Sequence, residues 1–409
     1  MLDPTIQYVV GIDVAKRSHT ICALRVPEGR LHLRPRSFAA TAEGQDTLCS
    51  LLKEWGPPET ILIGMEATGC LWEPLYAALT AAGYPVLVLN PRQTAAWAQA
   101  MGLRAKTDGG DAQTLARGIV AGHARASALP SETVQELRAL TRARQDLLQS
   151  QTAAKQRLRD ELVLVFPELP THTPEHCDLF DPALLRVLTR YGSAQAITGA
   201  PREELTQCLG AVSQGRWTAE HAQALRELAF HSAASPRAIA ARSLVVRTMA
   251  QHLLDLQQRL AELQAAILET LDGDGDGQHL QTLPGVGPVI AATIRAELGD
   301  ISRFAGVDQV VAYAGLDPRT RQSGTFVGQT HLSKRGPGAL RHALYLAALN
   351  AVRNRSEWRE RYQRLLDRGR AKKEALTILS RALLRVAYHV LRTHTPYDPH
   401  SLQPSRGTA

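Results

Sequence analysis

The sequence predicts an α/β protein with a mixed-sheet N-terminal domain, a helical coiled-coil middle and a mainly helical C-terminal domain. Three features predict it. Short apolar runs alternate with helical patterns up to about residue 130. Two long amphipathic stretches follow, and a basic segment punctuated by Gly and Pro closes the chain.

Residues 7–40 read as strands. Tyr8-Val9-Val10-Gly11-Ile12-Asp13-Val14 and Thr20-Ile21-Cys22-Ala23-Leu24 flank a turn through Lys16 to His19. Thr60-Ile61-Leu62-Ile63-Gly64-Met65-Glu66 is apolar enough to be a central strand. A helix from Trp72 to Ala82, a strand over Pro85–Leu89, a helix from Asn90-Pro91 and a further helix from near Thr107 complete the pattern. A hairpin followed by alternating strands and helices implies a mixed sheet.

The pattern changes at Ser131, which is placed to cap a long polar helix reaching about Val165. Residues 166–236 read as short helices. Val246, Met249, Leu253, Leu256, Leu260, Leu263 and Ile267 then step by alternating threes and fours, a heptad. An antiparallel coiled-coil arm, a dimerising seam and a helix packed on its own domain all fit that spacing. Asp272, Asp274 and Asp276 alternate with glycines like half of a calcium loop, but Leu283 stands where the bidentate Glu belongs. A flexible acidic linker is expected there. The expected domains are 1–130, 131–278 and 279–397, with a tail over 398–409.

Composition excludes several classes. Of 409 residues, 44% are hydrophobic and 21% charged, as in ordinary globular proteins. No apolar run reaches the length of a membrane span, and MLDPTIQYVVGID does not read as an export signal. Five scattered cysteines without a CxxC pair exclude a disulfide framework or zinc site and point to the cytoplasm. Net charge is +8, and its placement is informative: residues 279–409 hold 20 Lys+Arg against 9 Asp+Glu. An excess of +11 in one segment is the footprint of a phosphate-backbone binder.

Four acids stand out in the first domain. Asp13 lies in an apolar strand on the face opposite Ile12 and Val14, where a carboxylate is costly unless paired or bound to metal. Glu66 ends another apolar strand, and Asp108 and Asp111 are three apart at a helix start. Together they offer four hard oxygen donors suited to two magnesium ions in phosphodiester chemistry. GIDVAKRSHT also has the look of a sugar-kinase phosphate loop, but Ala15 and Lys16 occupy positions where that loop needs glycine.

In the last domain, LPGVGP has the form of a helix-hairpin-helix turn, whose Gly285 and Gly287 allow backbone N–H groups to hold a DNA phosphate. Ser323 follows Arg319 and Arg321 and precedes Lys334, Arg335 and Arg341, a phosphate-attracting setting. A serine needs a base or metal to attack, and composition and spacing alone favour a structural turn serine here.

These motifs carry a resemblance. Asp13 in GIDVAK, Glu66 in MEATG, and Asp108 and Asp111 in KTDGGDA resemble the four-acid signature of the DEDD transposases of bacterial insertion sequences, the bridge-RNA-guided recombinases. LPGVGP, AYAGLDPR, QSG and LSKRG resemble their C-terminal domain, in that order, and the likeness extends to about Tyr397. The resemblance implies an RNase H-like (RuvC-like) first domain, Mg2+ held by the four acids, and Ser323 as the nucleophile forming a phosphoserine link to DNA, with Ser333 as runner-up. It further implies donor and target DNA, a structured noncoding guide RNA, and a homodimer or homotetramer between whose subunits acids and serine can meet. Gly109-Gly110 departs from the bulkier pair expected between the last two acids, which puts that helix start in doubt. A RuvC-like nuclease using water, and a noncatalytic nucleic-acid-binding protein, are the alternatives.

Overall fold

The computed structural model describes residues 2–67, 69–100, 108–123, 130–171, 178–213, 216–319, 322–323, 326–327, 331–354 and 357–399. The chain forms two compact units, residues 1–129 and 130–409.

The first unit carries β1 (Tyr8–Val14), β2 (Ser18–Arg25), β3 (Arg30–Ala39), α1 (Ala42–Lys53), β4 (Ile61–Glu66), α2 (Glu73–Ala81), β5 (Val86–Leu89), α3 (Pro91–Ala100) and α4 (Asp108–Val120). The sheet is mixed, in the order β3-β2-β1-β4-β5. β1, β2 and β3 form an antiparallel meander, while β4 lies parallel to β1 and β5 parallel to β4. Side chains alternate across the strands. Val10, Ile12 and Val14 of β1 pack with Ile61, Ile63 and Met65 of β4 against Leu48 and Leu52 of α1 and Leu75 and Leu79 of α2. Val9, Leu62 and Leu89 face the other way, onto Leu115, Ala116 and Ile119 of α4.

Gly11 governs that second face. A Cβ there would lie 2.1 Å from the Ala112 carbonyl oxygen, so the α4 backbone rests directly on the strand. Its register partner Gly64 leaves similar room, since a Cβ would meet Ile119 Cδ1 at 2.1 Å. The start of α4 passes Pro35 of β3, and its end reaches Gly29 in the β2–β3 turn. The helix therefore runs antiparallel to β1 and begins at that strand's carboxyl edge.

The second unit is helical. It comprises α5 (Glu132–Val165), α6 (Pro182–Tyr191), α7 (Ala194–Thr198), α8 (Arg202–Ser213), α9 (Ala219–Phe230), α10 (Ile239–Asp272), α11 (Gly275–Gln281), α12 (Pro288–Leu298) and α13 (Val307–Ala314). Four two-residue strands follow, β6 (Pro318–Arg319), β7 (Gln322–Ser323), β8 (Phe326–Val327) and β9 (His331–Leu332). Helices α14 (Gly338–Arg353), α15 (Glu357–Asp367) and α16 (Lys372–Thr393) end it. Ser131 caps α5, its Oγ accepting from the Val134 N–H at 3.4 Å. With 34 residues, α5 is about 51 Å long.

α5 and α10 pack against each other as an antiparallel pair. The start of α5 (Leu137) shares a core with the end of α10 (Ile267, Leu271), while the end of α5 (Leu158, Leu162, Val165) shares one with Val246, Ala250 and Leu253. The heptad face of α10 thus meets α5 of the same chain. The first of these cores also contains the helices from α11 onward, so residues 279–397 draw part of their core from both long helices. The seam is pinned by Glu297 of α12, 1% exposed, which accepts from Arg142 Nε and Nη2 at 2.9 and 3.1 Å.

The acidic run at 272–277 is not a loose linker. Asp274 caps α11, accepting from the Gly277 N–H at 3.0 Å, and pairs with Arg295 Nε at 2.9 Å. Asp276 lies 3.5 Å from Arg295 Nη2 and 2.8 Å from His394 Nδ1. Alternate aspartates on one cation, with a capping role for the first, hold the segment in place. Among the described residues no helix is long and apolar enough to cross a membrane, and Cys22, Cys49, Cys70 and Cys208 are free thiols.

Gly11→Val tests the seat of α4. It should lower unfolding stability by about 3 kcal/mol, the upper range for overpacking against an unyielding backbone. Urea unfolding of the variant beside the parent measures this; an unchanged midpoint would mean the helix is not seated on Gly11.

Candidate active site

Two acids end the central strands. Asp13 is the penultimate residue of β1 and Glu66 the last of β4. Ile12 pairs with Met65 in parallel register, so Asp13 and Glu66 come next, on strands about 4.8 Å apart. By alternation both share the face of Gly11 and Gly64, the one α4 covers.

The start of α4 brings the other two to the same edge. Ala112 lies over Gly11. From Gly11 to Asp13 is two strand residues, about 6.6 Å, and from Ala112 back to Asp108 is four helical residues, about 6 Å. The first turn of α4 therefore stands level with the ends of β1 and β4. Asp111 is half-buried, as are Asp13 and Glu66, while the Asp108 side chain lies outside the described ones. The two glycines do not delay the helix, which begins at Asp108. A Cβ on Gly109 would lie 3.0 Å from Pro35 Cβ, so the small residue lets the turn pass β3.

Glu66 has a fixed orientation: its Oε2 accepts from Thr94 Oγ1 at 2.6 Å, and Thr94 is buried in the first turn of α3. His19 sits opposite Val14 in β2, on the face away from the acids. Burial pushes its imidazole below the usual range. Among the described residues no three His, Cys, Asp or Glu side chains form a group that could hold a metal ion.

In the second unit, β6 pairs with β9 and β7 with β8, and Ser323 stands opposite Phe326. Arg319 lies in β6, and Arg321 lies outside the described residues. Lys334 and Arg335 are exposed just beyond β9, Lys334 with φ +50°. Arg341 is half-buried, its Nη1 donating to the carbonyls of Ala314 and Gly336 at 3.1 and 2.6 Å. Ser333 Oγ donates to the Asp317 carboxylate.

The two glycines of LPGVGP differ. Gly285 has φ +78°, and a Cβ there would come 2.2 Å from the Ala347 carbonyl oxygen, so it is packed under α14. Gly287 precedes α12 in open space, beside a cleft of about 410 Å³ that Gln281, Asn350, Arg353 and Asn354 help to line.

Comparison with known proteins accounts for both regions. Residues 10–167, which include all four acids, match the IS110 DEDD family model, described as Transposase. Residues 277–363, which include Ser323 and Ser333, match the model described as Transposase IS116/IS110/IS902 family. The chain belongs to this transposase family.

The transposase is 26% identical over 396 residues to the 44.8 kDa protein of insertion element IS116 from Streptomyces clavuligerus, covering 95% of this chain and 96% of that one. It is 23% identical to the transposase for insertion sequence element IS1111A of Coxiella burnetii, covering 95% and 91%. Over 121 residues, 29% of this chain and 38% of the other, it is 31% identical to the pilin gene-inverting protein of Moraxella bovis. It is an enzyme that cuts and rejoins DNA.

Sequence reasoning missed Thr94 as the partner of Glu66, and Asp317 as the partner of Ser333. It also passed over Gly11 and Gly64, although a glycine inside an apolar strand is the mark of a close backbone approach.

The two turn glycines give a contrasting pair. Gly285→Ala should destabilise the transposase by about 2 kcal/mol, through positive φ and the clash with α14. Gly287→Ala should leave the unfolding midpoint within error. Equal effects in thermal or urea unfolding would contradict the packing role of Gly285.

Proposed function

We propose that the first unit is an RNase H-like (RuvC-like) domain whose Asp13, Glu66, Asp108 and Asp111 hold magnesium, and that Ser323 is the nucleophile. The observation that carries this reading is the common edge: two strand-end carboxylates level with the first turn of α4. The strand order supports it, an antiparallel meander on one side of β1 and parallel strands on the other. The donors also fit the ion, since carboxylate oxygens are the hard ligands that Mg2+ takes. Bound there, the metal would favour the deprotonated attacking oxygen and offset charge on the leaving one.

In the cutting step the Ser323 hydroxyl gives up its proton and its Oγ forms a bond to phosphorus. The bond from phosphorus to the leaving deoxyribose oxygen breaks, and that oxygen takes up a proton. Rejoining is the reverse, with a deoxyribose hydroxyl displacing Ser323. The phosphoserine link conserves the diester, so sealing needs no external energy source. A relative named for inverting a gene supports a rejoining chemistry, because inversion requires every cut end to be sealed.

On the same reading, residues 1–130 are the catalytic domain, 131–278 the helical arm and 279–397 the serine-bearing domain. Backbone phosphates are gripped by Gly287 of the LPGVGP turn and by Arg319, Arg321, Lys334 and Arg335. A structured noncoding RNA selects donor and target DNA, and the protein works as a homodimer or homotetramer; family likeness supports both statements.

Asp13→Ala and Asp111→Asn should each cut strand exchange by more than about a hundredfold, above the usual cost of losing a supporting residue of a metal site. Thr94→Val, which removes only the donor to Glu66, should fall within about 10–100-fold. A strand-exchange assay on the folded variants decides. Full activity in either acid variant would sink the assignment.

A further inference from the structure

We propose that Asp317 and Ser333 form a clasp at the base of a β-arm and are positioning residues for Ser323. The inference rests on reading Ser323 as the nucleophile.

The described residues of the arm are those of β6, β7, β8 and β9. It is paired at its base, Pro318 with Leu332 and Arg319 with His331, and again toward its far end, Gln322 with Val327 and Ser323 with Phe326. Two strands alone are marginally stable in water, so where such an arm points depends on how its base is fixed. Ser323 lies five residues along the chain from Pro318, between the two chain segments that the base holds together.

The base is held by a compact set of bonds. Ser333 N donates to the Asp317 carbonyl at 3.0 Å, while Ser333 Oγ donates to the Asp317 side chain. One residue on, Lys334 N donates to the Gly315 carbonyl at 3.1 Å. The returning chain then crosses the end of α13, where a Cβ on Gly336 would come 1.8 Å from the Tyr313 carbonyl oxygen. Arg341 Nη1 bridges the Ala314 and Gly336 carbonyls, joining the two chain segments that leave and enter the arm.

Of these contacts, only the one between Asp317 and Ser333 joins two side chains directly across the base. A hydroxyl donating to a carboxylate is a short, directional, charge-assisted bond. It fixes the outgoing and returning strands against each other at the point where the arm leaves the helical body. Ser333 is thereby engaged as a donor in the clasp, which gives the serine of LSKRG a role other than attack.

Single-turnover formation of the covalent protein–DNA adduct tests this in the full chain at saturating DNA. First-order rate and final amplitude are read separately, because misfolding lowers the amplitude while a misdirected arm lowers the rate. Asp317→Ala and Ser333→Ala should each slow the rate by about 10–100-fold, the range expected of a reacting atom misplaced by up to about 1 Å. The double variant should be no slower than the worse single one, since both remove the same bond. Asp317→Asn keeps an acceptor and Ser333→Thr keeps a hydroxyl, so both should stay within about threefold of the parent. DNA affinity and amplitude should not change.

Rates at the parent level in Asp317→Ala and Ser333→Ala, with Ser323→Ala silent, overturn the clasp and leave Ser323 as nucleophile. An adduct that persists in Ser323→Ala but vanishes in Ser333→Ala overturns the nucleophile assignment, and the clasp with it.

Discussion

The contact between the α4 backbone and Gly11 is the constraint on which the rest of the first unit depends. With no side chain at Gly11 and little at Ala112, the helix lies against the strand instead of above a layer of side chains. This fixes how far α4 sits along the sheet as well as how close. Once Ala112 is over Gly11, the first turn of the helix is level with the ends of β1 and β4. The two acids from the helix and the two from the strands then share one edge. A helix held off by ordinary side chains could slide by a residue or two and lose that alignment.

The second unit solves a different problem, how to hold short, weakly paired strands on a helical body. Its long helices pack antiparallel, and the buried Glu297 with Arg142 locks α5 onto α12. Capping carries much of the remaining order. Asp274 and Asp276 hold α11 through Arg295, and Arg341 takes carbonyls at the end of α13. The arm bearing Ser323 thus leaves a base set by several fixed bonds.

Much of this was legible in the sequence, and what was not has physical reasons. The strands of the first unit were visible because β1 and β4 are buried on both faces and read as continuous apolar runs. Asp13 stood out as a carboxylate within such a run and Glu66 as one at the end of another. The heptad from Val246 to Ile267 marked a packing face, but spacing alone could not choose among an arm, a dimer seam and a helix on its own domain, nor name α5 of the same chain as the partner. The acidic run was misread because local composition gives no hint of Arg295, about twenty residues away, or of His394 beyond it. Gly285 read as a turn glycine open to a phosphate, and its packing under α14 could not be seen from the turn's own composition. Asp317 and Ser333 are sixteen residues apart, and only the pairing of the arm between them makes them neighbours.

Mapping where a metal ion sits tests the proposed site most directly. With ferrous iron supplied in place of the proposed magnesium and ascorbate present, radicals generated at a bound ion would cut the polypeptide close by. If the four acids hold the ion, cuts should concentrate at the ends of β1 and β4 and at the first turn of α4, near residues 13, 66 and 108–111, and excess magnesium should suppress them. Cuts confined to other parts of the chain, or spread evenly along it, would contradict the proposed four-acid metal site.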